Sequence, residues 1–586
     1  MKLTGSQLIT VLLERQGVTT IAGIPGGANL PLYDALQASS IRHVLARHEQ
    51  GAGFIAQGIA RATGRPAVCL STSGPGATNL LTAIADAKLD SIPLVAITGQ
   101  VPRNMIGTDA FQEVDTFGLS LPITKHNFLV RSAPELLEVI PRAFRIAASG
   151  RSGPVLVEVP KDVQTDLVDV ALLPEPGRAD PPPLCPADDL RRAAAMINAA
   201  QKPLLLIGAG IIAAGASNDL RYLMEKASIP AAATLLALGA LPHDHPLYLG
   251  MVGMHAARFT NMLLDECDLL VGLGVRFDDR ATGKAAEFCP HAKILHIDID
   301  PSELGKIKQP SLGVVADVGD ALAALAPMIA PNARCQWMRR IDSVRARYPL
   351  VMPGADDPLR PYGIIRTAAS LLPDDTIVTT DVGQHQMWVA QAYPFKRPRQ
   401  WLTSGGLGTM GFGLPAAIGA AIACPGRTVA CFSGDGSLLM NLQELATAAE
   451  EAVEVKIILL NNSHLGMVRQ QQQLFYGGRY HASRLKGHTD FVTIARGFGI
   501  RAVDIGQTEN PTAALANALR QPGPCLINVP IASDENVYPM VPPGGANRDM
   551  ITGESPDNEQ SESSSRLVVL SPEAHGQSPC LPALSK

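Results

Sequence analysis

Residues 431–441 read CFSGDGSLLMN, an apolar run that ends on an aspartate held between two glycines. A second apolar run, KIILLNN at 456–462, ends on two asparagines. Short uninterrupted runs of this kind suit strands covered on both faces, the condition met in parallel sheets. If the two strands are neighbours, Asp435 and Asn462 leave the same sheet edge, and open α/β sheets bind ligands beyond the carboxyl ends of their strands. Both side chains offer hard oxygens, which suit magnesium better than zinc or copper. Magnesium keeps open positions for phosphate oxygens, so the pair predicts a metal-bridged diphosphate. Gly434 and Gly436 would let backbone approach it, and a helix expected after Ser437 would offer N–H donors. GDG alone is as readily a plain turn; the asparagines at the second strand end give it weight.

The same alternation of apolar runs and helical stretches extends over most of the 586 residues. A chain this long exceeds one core and predicts about three or four domains. The expected class is α/β, with three doubly wound parallel-sheet domains at 1–170, 187–345 and 363–544. Proline-bearing linkers at 171–186 and 346–362 separate them, and 545–586, which contains NEQSESSSR, reads as a disordered tail whose removal should leave activity intact. The 49 basic and 54 acidic residues give a net charge of -5 without a basic cluster, which implicates neither nucleic acid nor an anionic membrane surface. The nine cysteines form no CxxC pair and fit reduced, buried thiols of a cytoplasmic protein. The N-terminal run is interrupted by Glu14 and Arg15 and reads as an amphipathic helix rather than a signal peptide. The uncharged stretch 401–426 is studded with glycines and reads as a loop entering a buried helix rather than a membrane span.

Two further motifs carry chemistry. Glu49, in RHEQGAGF, follows an apolar strand and opens a helix of small residues; acids favour helix N-termini for electrostatic reasons alone, but a carboxyl group there also sits at a sheet edge. IGAGIIA at 207–213 fits GxGxxA, a weak dinucleotide fingerprint. The acid that such a site wants about 20 residues on is missing from SIPAAATLLALG.

GDGSLLMN through KIILLNN resembles the diphosphate signature of thiamine diphosphate enzymes. Together with GIPGGANLPLYDAL, RHEQGAGFIAQGIARATG, SGPGATNLLTAIADAKLD, GTDAFQEVD, TTDVGQHQMW and YPMVPPG, it makes the chain similar, up to about residue 550, to the large catalytic subunit of acetohydroxyacid (acetolactate) synthases of the bacterial anabolic type, nearest to isozyme I.

The resemblance implies thiamine diphosphate, Mg2+ and FAD as cofactors. Asp435, Asn462 and a backbone oxygen of His464 would hold the metal, while Gly434, Gly436, Ser437, Gly466, Met467 and the loop Val382, Gly383, Gln384 and His385 would contact the thiamine cofactor. Met410 matches the bulky residue that props the two cofactor rings into a V. Glu49 matches the acid that faces the aminopyrimidine, and Gly27 the glycine whose backbone faces the reaction centre. Phe111 and Gln112 match pocket residues, and Lys161 a lysine near the entrance. FAD, largely structural in that family, would contact Gly208, Ala209, Gly210, His255, Arg276, Asp298 and Asp317.

The implied reaction decarboxylates pyruvate and joins the resulting two-carbon carbanion to pyruvate or 2-ketobutyrate, giving 2-acetolactate or 2-aceto-2-hydroxybutyrate for branched-chain amino acids. Arg280 would hold the carboxylate of the second keto acid, its alternative being a surface pair with Asp278 or Asp279, and Met254 would line the same pocket. Gln471 departs from the pattern: most members carry a tryptophan there, so a weaker preference for 2-ketobutyrate is expected. The resemblance further implies a homodimer or tetramer with sites shared between subunits, and a small regulatory subunit. The weighed alternatives are a pyruvate oxidase-like flavin enzyme and a catalytically dead cofactor-binding regulatory subunit.

Overall fold

The computed structural model describes residues 1–487 and 489–553. Its strands form three six-stranded sheets and one short ribbon. In the N-terminal part these are β1 (Lys2–Thr4), β2 (Thr20–Gly23), β3 (Arg42–Leu45), β4 (Ala67–Ser71), β5 (Leu94–Gln100), β6 (His126–Leu129), β7 (Pro154–Pro160) and β8 (Leu167–Asp169). β1 and β8 pair antiparallel, and the others form a parallel sheet in the order β3-β2-β4-β5-β7-β6.

The central strands are β9 (Pro203–Ile207), β10 (Ala231–Ala233), β11 (Tyr248–Met251), β12 (Leu269–Leu273), β13 (Lys293–Asp298) and β14 (Leu312–Val315). Their order, β11-β10-β9-β12-β13-β14, is that of dinucleotide-binding folds, with the direction of winding reversing between β9 and β12. The last six are β15 (Ile377–Thr380), β16 (Trp401–Leu402), β17 (Val429–Gly434), β18 (Val455–Asn461), β19 (Arg501–Asp504) and β20 (Cys525–Pro530). They run β16-β15-β17-β18-β20-β19, the same path as the first parallel sheet, so the chain contains one sheet topology twice. In both copies the winding reverses between the first and third strands, β2/β4 and β15/β17, and such reversals open a crevice at the carboxyl edge.

The predicted three sheets are present, but the chain packs as two compact units. One comprises Met1–Pro183, Leu238–His243 and Met352–Asn536; the other comprises Leu184–Ala237, Asp244–Val351 and, of the described residues, 537–553. The C-terminal boundary therefore differs from the sequence expectation. Residues 537–553 belong to the second unit, where Val541 N donates to Met254 O (2.9 Å) and Asn547 Nδ2 to Ala281 O (3.0 Å). The expected disordered tail thus loses its first residues: Ala546 and Asn547 are buried, while 554–586 lies outside the described residues.

In the first unit both sheet copies share one core. Ala22, Val44, Ala52 and Ile55 pack in the same cluster as Leu414, Ala417, Ile418, Val429 and Ile457. Its centre is the contact between helices Glu49–Thr63 and Gly413–Ala423. Their small residues permit backbone contact: a Cβ on Gly58 would lie 2.1 Å from the Ala416 carbonyl oxygen, and one on Gly419 would lie 1.9 Å from that of Ile55. Phe54 and Phe412 close the pair edge to face at 5.3 Å.

A buried polar knot lies alongside. Arg61 pairs with Asp86 (3.1 Å) and Asp90 (2.8 Å) and donates to Thr403 O (2.9 Å), while Asp90 accepts from Gly405 N (3.0 Å) and Gly406 N (2.7 Å). Each partner's charge is thereby answered, which burial demands.

Adding a methyl group at Gly58 or Gly419 must push the helices apart. Gly58→Ala and Gly419→Ala should each cost about 1–3 kcal/mol of stability, read as a lower thermal midpoint. Gly497→Ala, where an added Cβ meets nothing within 4 Å, should leave the midpoint unchanged or raise it slightly.

Candidate active site

At the β15/β17 reversal the chain leaves the sheet three times in close succession. β15 is followed by Asp381–Gly383, β17 by the one-turn helix Asp435–Leu438, and β18 by Asn462. β17 and β18 pair in register from Val429↔Val455 to Gly434↔Leu460, so Asp435 and Asn462 emerge side by side as predicted. They line one cavity. Every residue expected on the thiamine-cofactor side of this sheet lines it as well: 382–385, Met410, 434–437, His464, Gly466 and Met467. Sequence reading missed Trp388, Leu465, Val468 and Ile531, apolar walls that carry no motif of their own.

The helix expected after Ser437 starts earlier, at Asp435, with Gly434 as its cap. The GDG glycines also answer to neighbouring side chains. A Cβ on Gly436 would lie 2.4 Å from Leu465 Cδ2, and one on Gly434 would lie 2.9 Å from His385 Nδ1. The first residues of helices Gln384–Ala392, Asp435–Leu438 and Gly466–Phe475 all face the cavity, so several unpaired N–H groups and helix dipoles favour an anion there.

Asp435 is buried; its Oδ1 accepts from Gly436 N (2.8 Å), and its Oδ2 has no hydrogen-bond partner. Burial pushes its carboxyl up to about 6, against the pull of the N–H groups of Gly436, Ser463 and His464. Asn462 Oδ1 accepts from His464 N (3.0 Å), and His464 Nδ1 approaches Asn462 O (2.8 Å), a turn that holds the asparagine and the histidine backbone together. An unsatisfied buried carboxylate oxygen beside an amide oxygen is a costly arrangement alone and a fitting one for a hard cation. His385 Nε2 is likewise buried without a partner, and burial, set against a hydrogen bond with the Asp381 backbone, holds that imidazole down to about 3, so the ring is neutral.

The first sheet presents the other predicted residues at its own carboxyl edge. Gly27 follows β2, Glu49 follows β3, Phe111 and Gln112 lie beyond β5, and Lys161 begins the helix after β7. Glu49 is half-buried at the start of its helix, and its Oε2 accepts from Asn79 Nδ2 (2.9 Å). An added Cβ at Gly27 would meet open space. Gln112 has φ 60°, and its carbonyl oxygen lies 2.7 Å from where a Gly74 Cβ would be, while Phe111 is 87% exposed. None of these five residues lines the β15/β17 cavity of the same chain.

In the second unit Gly208 follows β9, Arg276 follows β12, Asp298 ends β13 and Asp317 follows β14, a row along one carboxyl edge. A Cβ on Gly208 would lie 1.9 Å from Gly274 O, and one on Gly210 2.7 Å from Gly274 Cα, so these glycines let two loops meet at the reversal. Asp317 caps helix Val318–Leu325 through Gly319 N (2.8 Å). His255, after β11, is buried with Nδ1 2.9 Å from Pro539 O. Arg280 lies 3.8 Å from Met254 Sδ, which brings the two predicted acceptor residues together, and its Nε also stands 3.7 Å from Asp279, the surface pair weighed as its alternative. Gln471 is exposed, whereas Gln470 is buried and accepts from Gln384 Nε2 (2.9 Å).

The chain matches three thiamine pyrophosphate enzyme families: the N-terminal TPP binding domain over residues 3–119, the central domain over 190–325, and the C-terminal TPP binding domain over 381–529. It is 58% identical over 551 residues to the acetolactate synthase isozyme 1 large subunit of Escherichia coli K12, covering 94% of this chain and 98% of that protein. To the isozyme 2 large subunit of the same organism it is 47% identical over 549 residues, covering 94% and 99%. To the chloroplastic acetolactate synthase 1 of Oryza sativa subsp. japonica it is 46% identical over 565 residues, covering 93% and 87%.

Beneath the loop of Phe111 and Gln112 sits Glu158, a buried carboxyl on β7 that sequence reading passed over. Gln100 Nε2 donates both to Glu158 Oε1 (2.8 Å) and to Val114 O (3.0 Å), tying the loop base to the sheet. Burial, set against hydrogen bonds from Thr116 and Gln100, pushes this carboxyl from 4.5 up to about 7. Between those values the folded chain keeps a proton that the unfolded chain releases, so stability falls as pH rises through the window. Glu158 should account for a loss of about 3 kcal/mol between pH 4.5 and 7. Denaturant titrations at pH 5 and pH 8 should show that loss diminished in Glu158→Gln.

Proposed function

The chain belongs to the acetolactate synthase large subunits, a family of thiamine pyrophosphate enzymes, and we propose that it joins the two-carbon remainder of decarboxylated pyruvate to pyruvate or 2-ketobutyrate. The observation that carries this reading is the β15/β17 cavity, where the unpartnered Asp435 Oδ2 stands beside Asn462 under several helix N-termini. Thiamine diphosphate bound there supplies the electron sink that decarboxylation of a 2-keto acid needs.

Asp435, Asn462 and the His464 carbonyl would hold Mg2+, the N–H groups of the flanking helices would orient the diphosphate, and His385 would line the same cofactor site. Glu49 holds and returns a proton at Oε1, since Oε2 is engaged by Asn79. Gly27, Phe111, Gln112 and Lys161 enclose the reacting atoms, and Met410 shapes the cavity floor. Arg280 orients the carboxylate of the second keto acid beside Met254.

The row from Gly208 to Asp317 along the second sheet supports FAD as a resident of the β9/β12 crevice. Two copies of the chain complete each site in this reading, Glu49 from one facing Asp435 of the other. Its support is that Glu49 does not line the cavity of its own chain, and that Phe111 and Met440 stand exposed close in sequence to the two edges. The designation of the relatives as large subunits supports a small partner subunit. Among the described residues no helix is long and apolar enough to cross a membrane, and the cysteines are free; the cytoplasm is the compartment we propose.

Purified protein given pyruvate should make acetolactate, and leaving out thiamine diphosphate or Mg2+ should abolish it; formation unaffected by either omission would overturn the reading. Glu49→Gln and Asp435→Asn should each be inactive alone, yet mixing the two after dissociation should restore activity, whereas sites built within one chain would give no recovery. In competition between pyruvate and 2-ketobutyrate, Gln471→Trp should raise preference for the larger acceptor by about tenfold, the worth of one methylene in an apolar pocket.

A further inference from the structure

Met410 reaches the cavity from a stretch with no regular secondary structure, although a side chain that shapes a bound cofactor has to be held to a fraction of an ångström. The next residue supplies the restraint. Gly411 has φ 93° and is gripped on both sides of its backbone: its N–H donates to Asp381 Oδ1 (2.8 Å), and its carbonyl accepts from Asn441 Nδ2 (2.7 Å). A Cβ on Gly411 would lie 2.7 Å from Asn441 Nδ2, so only glycine admits this grip.

Asp381 does more than hold Gly411. Its Oδ1 also accepts from Val382 N (2.9 Å), and its Oδ2 accepts from Gly413 N (3.1 Å), at the start of helix Gly413–Ala423. Val382 and Met410 thus hang from one carboxylate, although they come from separate loops. Asn441 reaches Gln50 Oε1 at 3.2 Å with the same amide and is braced in turn. Asp381 is 1% exposed and Asn441 2% exposed, and neither lines the cavity. A helix cap would need only the bond to Gly413. The bonds to Gly411 from two directions, and to Val382, are what would fix a loop against pivoting.

We propose that Asp381 and Asn441 are positioning residues which clamp Gly411 and thereby set Met410 against Val382 across the cavity. The proposal rests on the reading of Met410 as the residue that shapes the bound cofactor, and the test separates the two.

In the cofactor-free chain, amide hydrogen exchange over residues 405–413 should be faster in Asp381→Asn and Asn441→Ala and unchanged in Met410→Ala. In the holoenzyme without substrate, exchange of the thiazolium C2 proton for deuterium should slow by about tenfold or more in all three variants, as small misplacements at a reacting centre do. The cofactor dissociation constant, from quenching of tryptophan fluorescence, should change by less than about fivefold, and kcat should fall while KM for pyruvate holds, the signature of an interaction made only in the transition state. A merely structural role would lower the thermal midpoint and leave C2 exchange at the wild-type rate; that result in Asp381→Asn and Asn441→Ala, with Met410→Ala slow, overturns the clamp. Wild-type C2 exchange in Met410→Ala would instead remove the reading beneath it. Should Asp381→Asn fail to fold, Asn441→Ser, which loses the amide donor to Gly411 O together with the oxygen that accepts from Gln443 Nε2 (3.0 Å), decides alone.

Discussion

Everything at the candidate site depends on two backbones touching. Gly58 against Ala416 and Gly419 against Ile55 leave no room for a β-carbon on either glycine, and that contact merges two copies of one sheet topology into a single core. It fixes more than stability. Glu444 of the second copy accepts from Arg47 N (3.0 Å) and His48 N (3.1 Å), so the first turn of the Glu49 helix is held by its own C-terminal sheet. Gly51 exists as glycine for that reason, since its Cβ would lie 2.3 Å from Glu444 Oε1. Glu49 itself is absent from the wall of the β15/β17 cavity of the same chain.

The three reversals of winding divide the chemistry. β15/β17 offers converging helix N-termini and an unsatisfied carboxylate oxygen, suited to a metal and an anion. β2/β4 offers open space at Gly27 and, nearby, a single carboxyl braced by Asn79. β9/β12 has the strand order of dinucleotide folds but uses its glycines to bring two loops together. Identical sheet paths therefore carry unlike sites, because the residues just past each strand end differ.

Much of this could be read from the sequence. Buried strands such as β4, β5, β17 and β18 announce themselves as apolar runs, and Asp435 and Asn462 follow from where two such runs stop. The strands β6, β10, β16 and β19 did not, for they are short, and HNFL or RAVD is half-exposed and lacks a period long enough to detect. Glu158 was hidden by its setting: one acid inside VLVEVP looks like an outward-facing residue until the loop carrying Thr116 covers it. Asp381 in TTDVGQH and Asn441 in GDGSLLMN stand beside recognisable motifs, but their partner is the backbone of a third segment, and no pattern of side chains encodes that. The C-terminal boundary failed for a similar reason. The stretch 545–553 is polar and aperiodic, and its order comes from bonds to residues near 281 and 287.

The discontinuity of the first unit has a further effect. It is assembled from stretches that stop at Pro183 and, but for Leu238–His243, resume only at Met352, and helix Glu49–Thr63 must wait for Gly413–Ala423 before its small-residue face is covered. During synthesis at roughly 5–20 residues per second, that face stays open for tens of seconds. The nascent polypeptide therefore presents a sticky surface to the cell long before its mate leaves the ribosome, which makes this protein a natural client for chaperones and a poor candidate for expression as separate fragments.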